Sequence, residues 1–118
     1  MGKFERFDAF ARHRIEESTC NIKMIALIVK GGKILSYDTN KVGHRNKSIH
    51  AEANALRNLI RQKNSGDGAD IFIYRLLANG NYGLARPCED CMEHISKAGI
   101  KRIWYSDYGN RLIMERIH

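Results

Sequence analysis

Two short pieces of the chain carry side chains suited to holding a metal and moving a proton. The first, Lys47-Ser-Ile-His-Ala-Glu-Ala-Asn-Ala-Leu56, contains His50 and Glu52; the second, Ala85-Arg-Pro-Cys-Glu-Asp-Cys91, contains Cys88 and Cys91. Imidazole and thiolate are zinc ligands, and three protein ligands with one open position define a catalytic zinc site, whereas four define a structural one. His50, Cys88 and Cys91 make three, and no fourth Cys or His stands at ligand spacing. The open position then takes water, whose pKa zinc lowers toward about 7. Each piece sits where a loop gives way to an amphipathic helix. Cys88 and Cys91, three apart, share one face of a helix start, and a helix N-terminus favours thiolates, the form that binds metal. Glu52 projects from the first turn of the helix that His50 opens, and its position suits a proton carrier better than a ligand. The competing readings are a dipole partner in the first helical turn for Glu52 and a disulfide for the two cysteines.

His-x-Glu followed by Pro-Cys-x-x-Cys is the signature of zinc-dependent base deaminases. On these residues the chain resembles the zinc-dependent cytidine/deoxycytidylate deaminase superfamily, on its CMP/dCMP side. A first-ligand His, here His50 in His-Ala-Glu, is similar to deoxycytidylate, cytosine and tRNA-adenosine deaminases; free-cytidine deaminases usually have Cys there. The resemblance spans residues 18–107, including Ser-Thr-Cys20 before a strand and Ala98-Gly-Ile-Lys-Arg-Ile-Trp-Tyr-Ser106 after the cysteine helix. It implies Zn2+ held by His50, Cys88 and Cys91, with Glu52 as the catalytic proton carrier. It also implies substrate contacts at Asn40, Ala51, Tyr105 and Ser106, Asn40 meeting the sugar hydroxyl and residues 105–108 helping to enclose the base. Tyr37-Asp-Thr-Asn40 stands where the family has a Gly-rich approach to that Asn.

The activity so implied is hydrolytic deamination of a cytosine nucleotide, dCMP or CMP, to the uracil nucleotide with release of ammonia. Alternatives are a deaminase acting on a base in tRNA or single-stranded DNA, one acting on free cytidine or cytosine, and a non-enzymatic zinc-stabilised module. Glu52 argues against the last, because a purely structural metal site needs no carboxylate beside an open position. The resemblance further implies a homo-oligomer, and a core this small gains from additional burial.

At 118 residues, with 28% charged and 43% apolar residues, the composition fits one globular domain over residues 1–118. No apolar run approaches the roughly 18 residues of a membrane span, and the polar N-terminus lacks the apolar region of a signal peptide. Thiolate ligands and a third cysteine, Cys20, favour a reducing cytoplasm; Cys20 reads as a small buried hydrophobe. The formal charge of +7 suits solubility, the phosphate of a mononucleotide, or a nucleic-acid surface as second choice. Basic residues gather in Lys41-Val-Gly-His-Arg-Asn-Lys47, where they could meet a phosphate, although His44 reads as a solvated loop residue.

The elements that must position these groups follow from periodicity. Phe4, Phe7, Ala11 and Ile15 recur at helical spacing, predicting a first helix over 4–17. Met24-Ile-Ala-Leu-Ile-Val29 is a strand covered on both faces; Gly31-Gly32 turns the chain, and residues 33–37 return as an edge strand. A polar loop leads to His50, and residues 51–63 form a second helix burying Ala55, Leu56, Leu59 and Ile60. Asn64-Ser-Gly-Asp-Gly68 breaks it. Residues 70–77 form a third strand. Its Arg75 should lie near a strand end, facing either the nucleotide site or, the preferred reading, an acidic partner. The loop 79–83 is expected to wall the pocket, with Tyr82 as a stacking group. A third helix spans 88–98 and stops at Gly99; a fourth strand spans 101–106. Residues 111–117 form a fifth strand antiparallel to the fourth, with a short helix as second choice. Together these give an α/β fold: a three-layer α/β/α sandwich around a mixed five-stranded sheet, cytidine-deaminase-like, with the metal site at the N-termini of two helices.

Overall fold

An unbroken apolar run can be stable as a strand only if both of its faces are covered, and the architecture is built around meeting that demand. In a computed structural model describing residues 3–43 and 48–117, the run becomes β1 (Lys23–Lys30). Ile25, Leu27 and Val29 pack in one cluster with Phe7, Ala11 and Ile15. Phe7 and Ala11 belong to α1 (Lys3–Arg14), and Ile15 opens the 3-10 turn that follows it. Ala26 and Ile28 pack in the opposite cluster, with residues of α2 (Ala51–Arg61) and α3 (Glu89–Lys97). Ile25, Ala26, Leu27 and Ile28 are wholly buried, each of the larger ones contributing roughly 1.5–3 kcal/mol of hydrophobic stabilisation. The three layers expected from the sequence are thus present.

The sheet follows from that centre. β1 pairs antiparallel with β2 (Lys33–Thr39) on one side and with β5 (Asp70–Leu76) on the other. Gly31 and Gly32 join β1 to β2 with φ of 60° and 76°, the doubly left-handed geometry of a type I′ turn, which glycine adopts without strain. β5 runs parallel to β7 (Arg102–Asp107) through α3, and β7 turns back antiparallel into β8 (Arg111–Arg116). The order is β2-β1-β5-β7-β8, with a two-residue strand β6 (Tyr82–Gly83) added beside β5. The sheet therefore has six strands rather than five, and the C-terminal segment is the antiparallel strand preferred over a helix.

Four expectations need correction. The polar loop before His50 contains a small separate ribbon, β3 (Lys41–Val42) against β4 (Ser48–Ile49); His44 and the basic residues Arg45 and Lys47 lie outside the described residues. Ile60 is 72% exposed, because the face of α2 turned to the sheet is centred on Ala51, Ala55 and Leu59 and Ile60 falls at its margin. Tyr82 does not wall the pocket. It pairs across from Leu76, whose parity points to the α1 side; there Tyr82 is buried, its hydroxyl bonds Asp8 and Arg12 stacks over its ring at 4.3 Å. Cys20 is half-buried rather than buried, its N–H donating to Ser18 Oγ at 3.2 Å.

Side-chain bonds between α2 and β2 fix the edge strand. Asn54 Nδ2 donates to the Thr39 carbonyl at 2.9 Å, Asn58 Nδ2 to the Tyr37 carbonyl at 3.2 Å, and Ser36 Oγ to the Ala55 carbonyl at 2.8 Å. The start of β1, the ends of β2, β5 and β7, and the N-termini of α2 and α3 consequently gather at one rim of the sheet.

Candidate active site

Both helices at that rim begin on a residue that does not cap them. Helix N-caps are ordinarily Ser, Thr, Asp or Asn, whose side chains accept from exposed N–H groups. Here His50 caps α2 and Cys88 caps α3, in extended conformation and without a side-chain cap bond. Their carbonyls still accept the first helical bonds, from Asn54 N–H at 3.1 Å and Met92 N–H at 2.9 Å. The side chains are left to face one another. Local rules broken in this way mark functional positions.

His50 Nδ1 lies 3.0 Å from Cys91 Sγ and 4.0 Å from Cys88 Sγ, and the three ligand atoms all lie within 4.8 Å of one another. Ligands of a tetrahedral zinc, at about 2.3 Å for sulfur and 2.0–2.1 Å for nitrogen, stand roughly 3.5–3.8 Å apart. The two N–S distances bracket that spacing, and the donor set of one imidazole and two thiols is the chemistry zinc takes, so the residues fit the ion. Cys91 is buried, whereas His50 and Cys88 are exposed, so the set opens toward solvent on one side.

Glu52, in the first turn of α2, is 3% exposed, and its Oε1 has no hydrogen-bond partner among the described residues. A buried, unpartnered carboxylate oxygen is costly to keep unless a water or substrate proton meets it during function. Burial raises the Glu52 carboxyl above its usual range, offset in part by a backbone N–H bond, by His50 and by Cys91. Burial also pushes the Cys91 thiol up, and the Glu52 charge adds to it. A bound divalent cation is the largest local charge in such a site and opposes both shifts.

A cleft of about 340 Å3 fronts this group, lined among others by Ile22, Met24, Asn40, Glu52, Arg75 and Cys88. Its volume is that of a small-molecule site. Asn40 is buried and almost fully bonded: Oδ1 accepts from Met24 N–H at 2.9 Å and Ser18 Oγ at 2.6 Å, and Nδ2 donates to the Ile22 carbonyl at 2.7 Å. The other Nδ2 hydrogen makes no bond among the described residues. Ala51 is fully buried at the start of α2. Tyr105 and Ser106 are buried and do not line the cleft. Ser106 Oγ donates to the Gly83 carbonyl at 2.8 Å and accepts from Arg75 N–H at 3.0 Å, tying β5, β6 and β7 together. Tyr105 bonds Glu115, which holds Arg86 at the cleft through contacts of 2.7 and 3.2 Å. The structure thus brings together His50, Glu52, Cys88, Cys91 and Asn40, and sets Tyr105 and Ser106 behind the wall.

Arg75 does not meet the acidic partner preferred from the sequence. Among the described residues it makes no ion pair, its Nε is buried without a hydrogen-bond partner, and it lines the cleft. Alternation along β5 could have found it: Ile71 and Ile73 face α2 and α3, and Arg75 is next on that side. Leu84 and Arg86 were missed altogether; their signal was only their place in the approach to Pro87.

The matching family model is the cytidine and deoxycytidylate deaminase zinc-binding region, which covers residues 4–107; the chain belongs to this family of zinc-dependent hydrolases. Among solved structures it is similar to a dCMP deaminase from the cyanophage S-TIM5, at 27% identity and TM-score 0.69 over 90% of this chain and 83% of that one. It is also similar in fold to a cytidine deaminase from Burkholderia pseudomallei, at 18% identity and TM-score 0.77 over 99% of this chain and 94% of that one. Compared by sequence with curated proteins, the chain has no significant match.

Proposed function

We propose that this protein hydrolytically deaminates a cytosine nucleotide, dCMP or CMP, giving the uracil nucleotide and ammonia. One observation carries the reading: a buried carboxylate with an unpartnered oxygen, Glu52, beside the converging His50, Cys88 and Cys91 in a cleft of small-molecule size. Zinc held by these three side chains supplies the Lewis acidity that makes water nucleophilic near neutral pH. Glu52 takes one proton of the attacking water and passes it to the base ring nitrogen. Once the oxygen is bonded to C4, Glu52 takes the remaining hydroxyl proton and gives it to the amine, which leaves as ammonia as the C4–N bond breaks and the C4 carbonyl forms. The raised affinity of its carboxyl for a proton suits an acid and base in turn. The remaining Nδ2 hydrogen of Asn40 donates to a sugar hydroxyl, and Lys41, which follows Asn40 directly, opens the basic stretch 41–47. The cyanophage deaminase was crystallised with dCMP and dUMP, which supports a nucleotide as the substrate class. The assembly we expect is a homo-oligomer in a reducing cytoplasm.

The test is zinc-loaded protein with dCMP, CMP, deoxycytidine and cytosine, followed by ultraviolet absorption. Turnover of a nucleotide is expected; no turnover of any monomer would remove the reading. The charge of +7 favours a base in a single strand as the second reading. Oligonucleotide binding that weakens steeply with salt, together with deamination of the strand alone, would select it.

A further inference from the structure

Resting on the nucleotide reading, we propose that Arg75 is the residue that recognises the substrate phosphate, so that the cleft selects a cytosine nucleoside monophosphate over the nucleoside. Arg12, Arg14, Arg86, Arg102 and Arg111 each meet a carboxylate. Among the described residues Arg75, half-buried on the site face of β5, meets none, and its Nε is buried without a partner. Holding a cation out of water without a counter-charge is unfavourable, and an incoming anion removes that penalty. Guanidinium is the side chain suited to the purpose, because its planar fork bonds two phosphate oxygens at once.

The surroundings hold Arg75 in place. Ser106 Oγ fixes its backbone N–H at 3.0 Å. Its stem crosses Gly83, where a Cβ would stand 3.3 Å from Arg75 Cδ and 2.9 Å from Leu77 Cδ2, so a larger residue there would have to push one of these side chains aside. Register then orders the substrate. Met24 is the cross-strand neighbour of Arg75, and the Met24 N–H is also the donor to Asn40 Oδ1. Asn40 and Arg75 therefore flank one residue of β1 at the sheet rim, with Glu52, His50 and Cys88 on the α2/α3 side of the same cleft. A base at Glu52 and a sugar at Asn40 leave the phosphate within reach of Arg75.

Zinc-loaded wild type, Arg75→Ala, Arg75→Gln and Arg75→Lys are compared on CMP against cytidine and on dCMP against deoxycytidine. Wild type is expected to favour the nucleotide. In Arg75→Ala and Arg75→Gln the ratio of nucleotide to nucleoside kcat/KM falls about 10- to 100-fold, the loss of a hydrogen-bonded charge, chiefly through KM. Arg75→Lys keeps part of the ratio. Inorganic phosphate competes with CMP in wild type, and at least 10 times more is needed in Arg75→Ala. A wild-type ratio near one, or equal losses on both partners of a pair, overturns the proposal. If Arg75→Ala does not fold, the Lys and Gln variants and phosphate competition decide it. If no cytosine compound is turned over, the proposed activity falls. Arg75 is then judged by calorimetric titration of CMP and cytidine into the same proteins: a CMP preference lost in Arg75→Gln sustains it, and equal binding sinks it. Oligodeoxycytidylate binding that depends on Arg75 while CMP does not bind also overturns it.

Discussion

Replacing Asn40 with alanine separates a side chain that only touches substrate from one that also builds the rim. The side chain joins three backbone segments: its Oδ1 accepts from Met24 N–H and Ser18 Oγ, and its Nδ2 donates to the Ile22 carbonyl. Ser18 has a second acceptor, the Asn40 carbonyl at 3.0 Å, so its hydroxyl loses little. The Met24 N–H and the Ile22 carbonyl lose their partners, and leaving such groups unsatisfied costs about 1–2 kcal/mol each when half-buried, or about 2–4 kcal/mol together. For a chain of this length that lowers Tm by about 8–16 °C. Urea denaturation and thermal melts of zinc-loaded wild type and Asn40→Ala measure it, with nucleotide kcat/KM followed on the same samples. Asn40→Asp keeps the acceptor but turns an oxygen on the Ile22 carbonyl, and should lose stability as well. A stability change below about 0.5 kcal/mol in Asn40→Ala, within the usual range for inert surface substitutions, would refute the structural role.

Three further outcomes follow from the same geometry. Glu52→Gln should retain zinc while kcat falls about 10²- to 10⁴-fold, the usual span for a lost general acid/base. In chelated protein the same substitution should stabilise the fold at neutral pH. Burial holds the folded carboxyl above its unfolded value of about 4.3, so folded Glu52 keeps a proton the unfolded chain has released, and stability falls as pH rises through that interval. Urea denaturation should therefore show the Gln advantage vanishing near pH 4, and an advantage independent of pH would refute it. His50→Ala and Cys88→Ala should each lose zinc by elemental analysis and melt lower than wild type; a full zinc equivalent in either would count against the ligand assignment. Gly99→Ala should cost at least the roughly 1–2 kcal/mol of a left-handed non-glycine residue, because Gly99 has φ of 82° and a Cβ there would run into Asp67. A melt unchanged by that substitution would refute the strain.

The converging His50, Cys88 and Cys91 and the succession of helices and strands were legible because each rests on short-range rules: ligand spacing, helix starts and the unbroken apolar run of β1. The failures share a different cause. Tyr82 and Arg75 were misassigned because which face a strand residue takes depends on register across two other strands, and a one-residue difference reverses it. Ile60 looked like core because helical periodicity gives a face but not how far the neighbouring helix extends along it. The roles of Ser106 and Asn54 were hidden because their bonds join segments 31 and 15 residues apart, and no local pattern announces such partners.

The two helix starts without capping side chains also bear on the lifetime of the protein. With the ion removed, the first turns of α2 and α3 keep neither a cap nor a cross-link, and fraying there exposes backbone to proteases. Chelated protein should be cleaved faster than loaded protein near residues 48–50 and 84–88, so that holding the ion and outlasting a protease become one property of the chain.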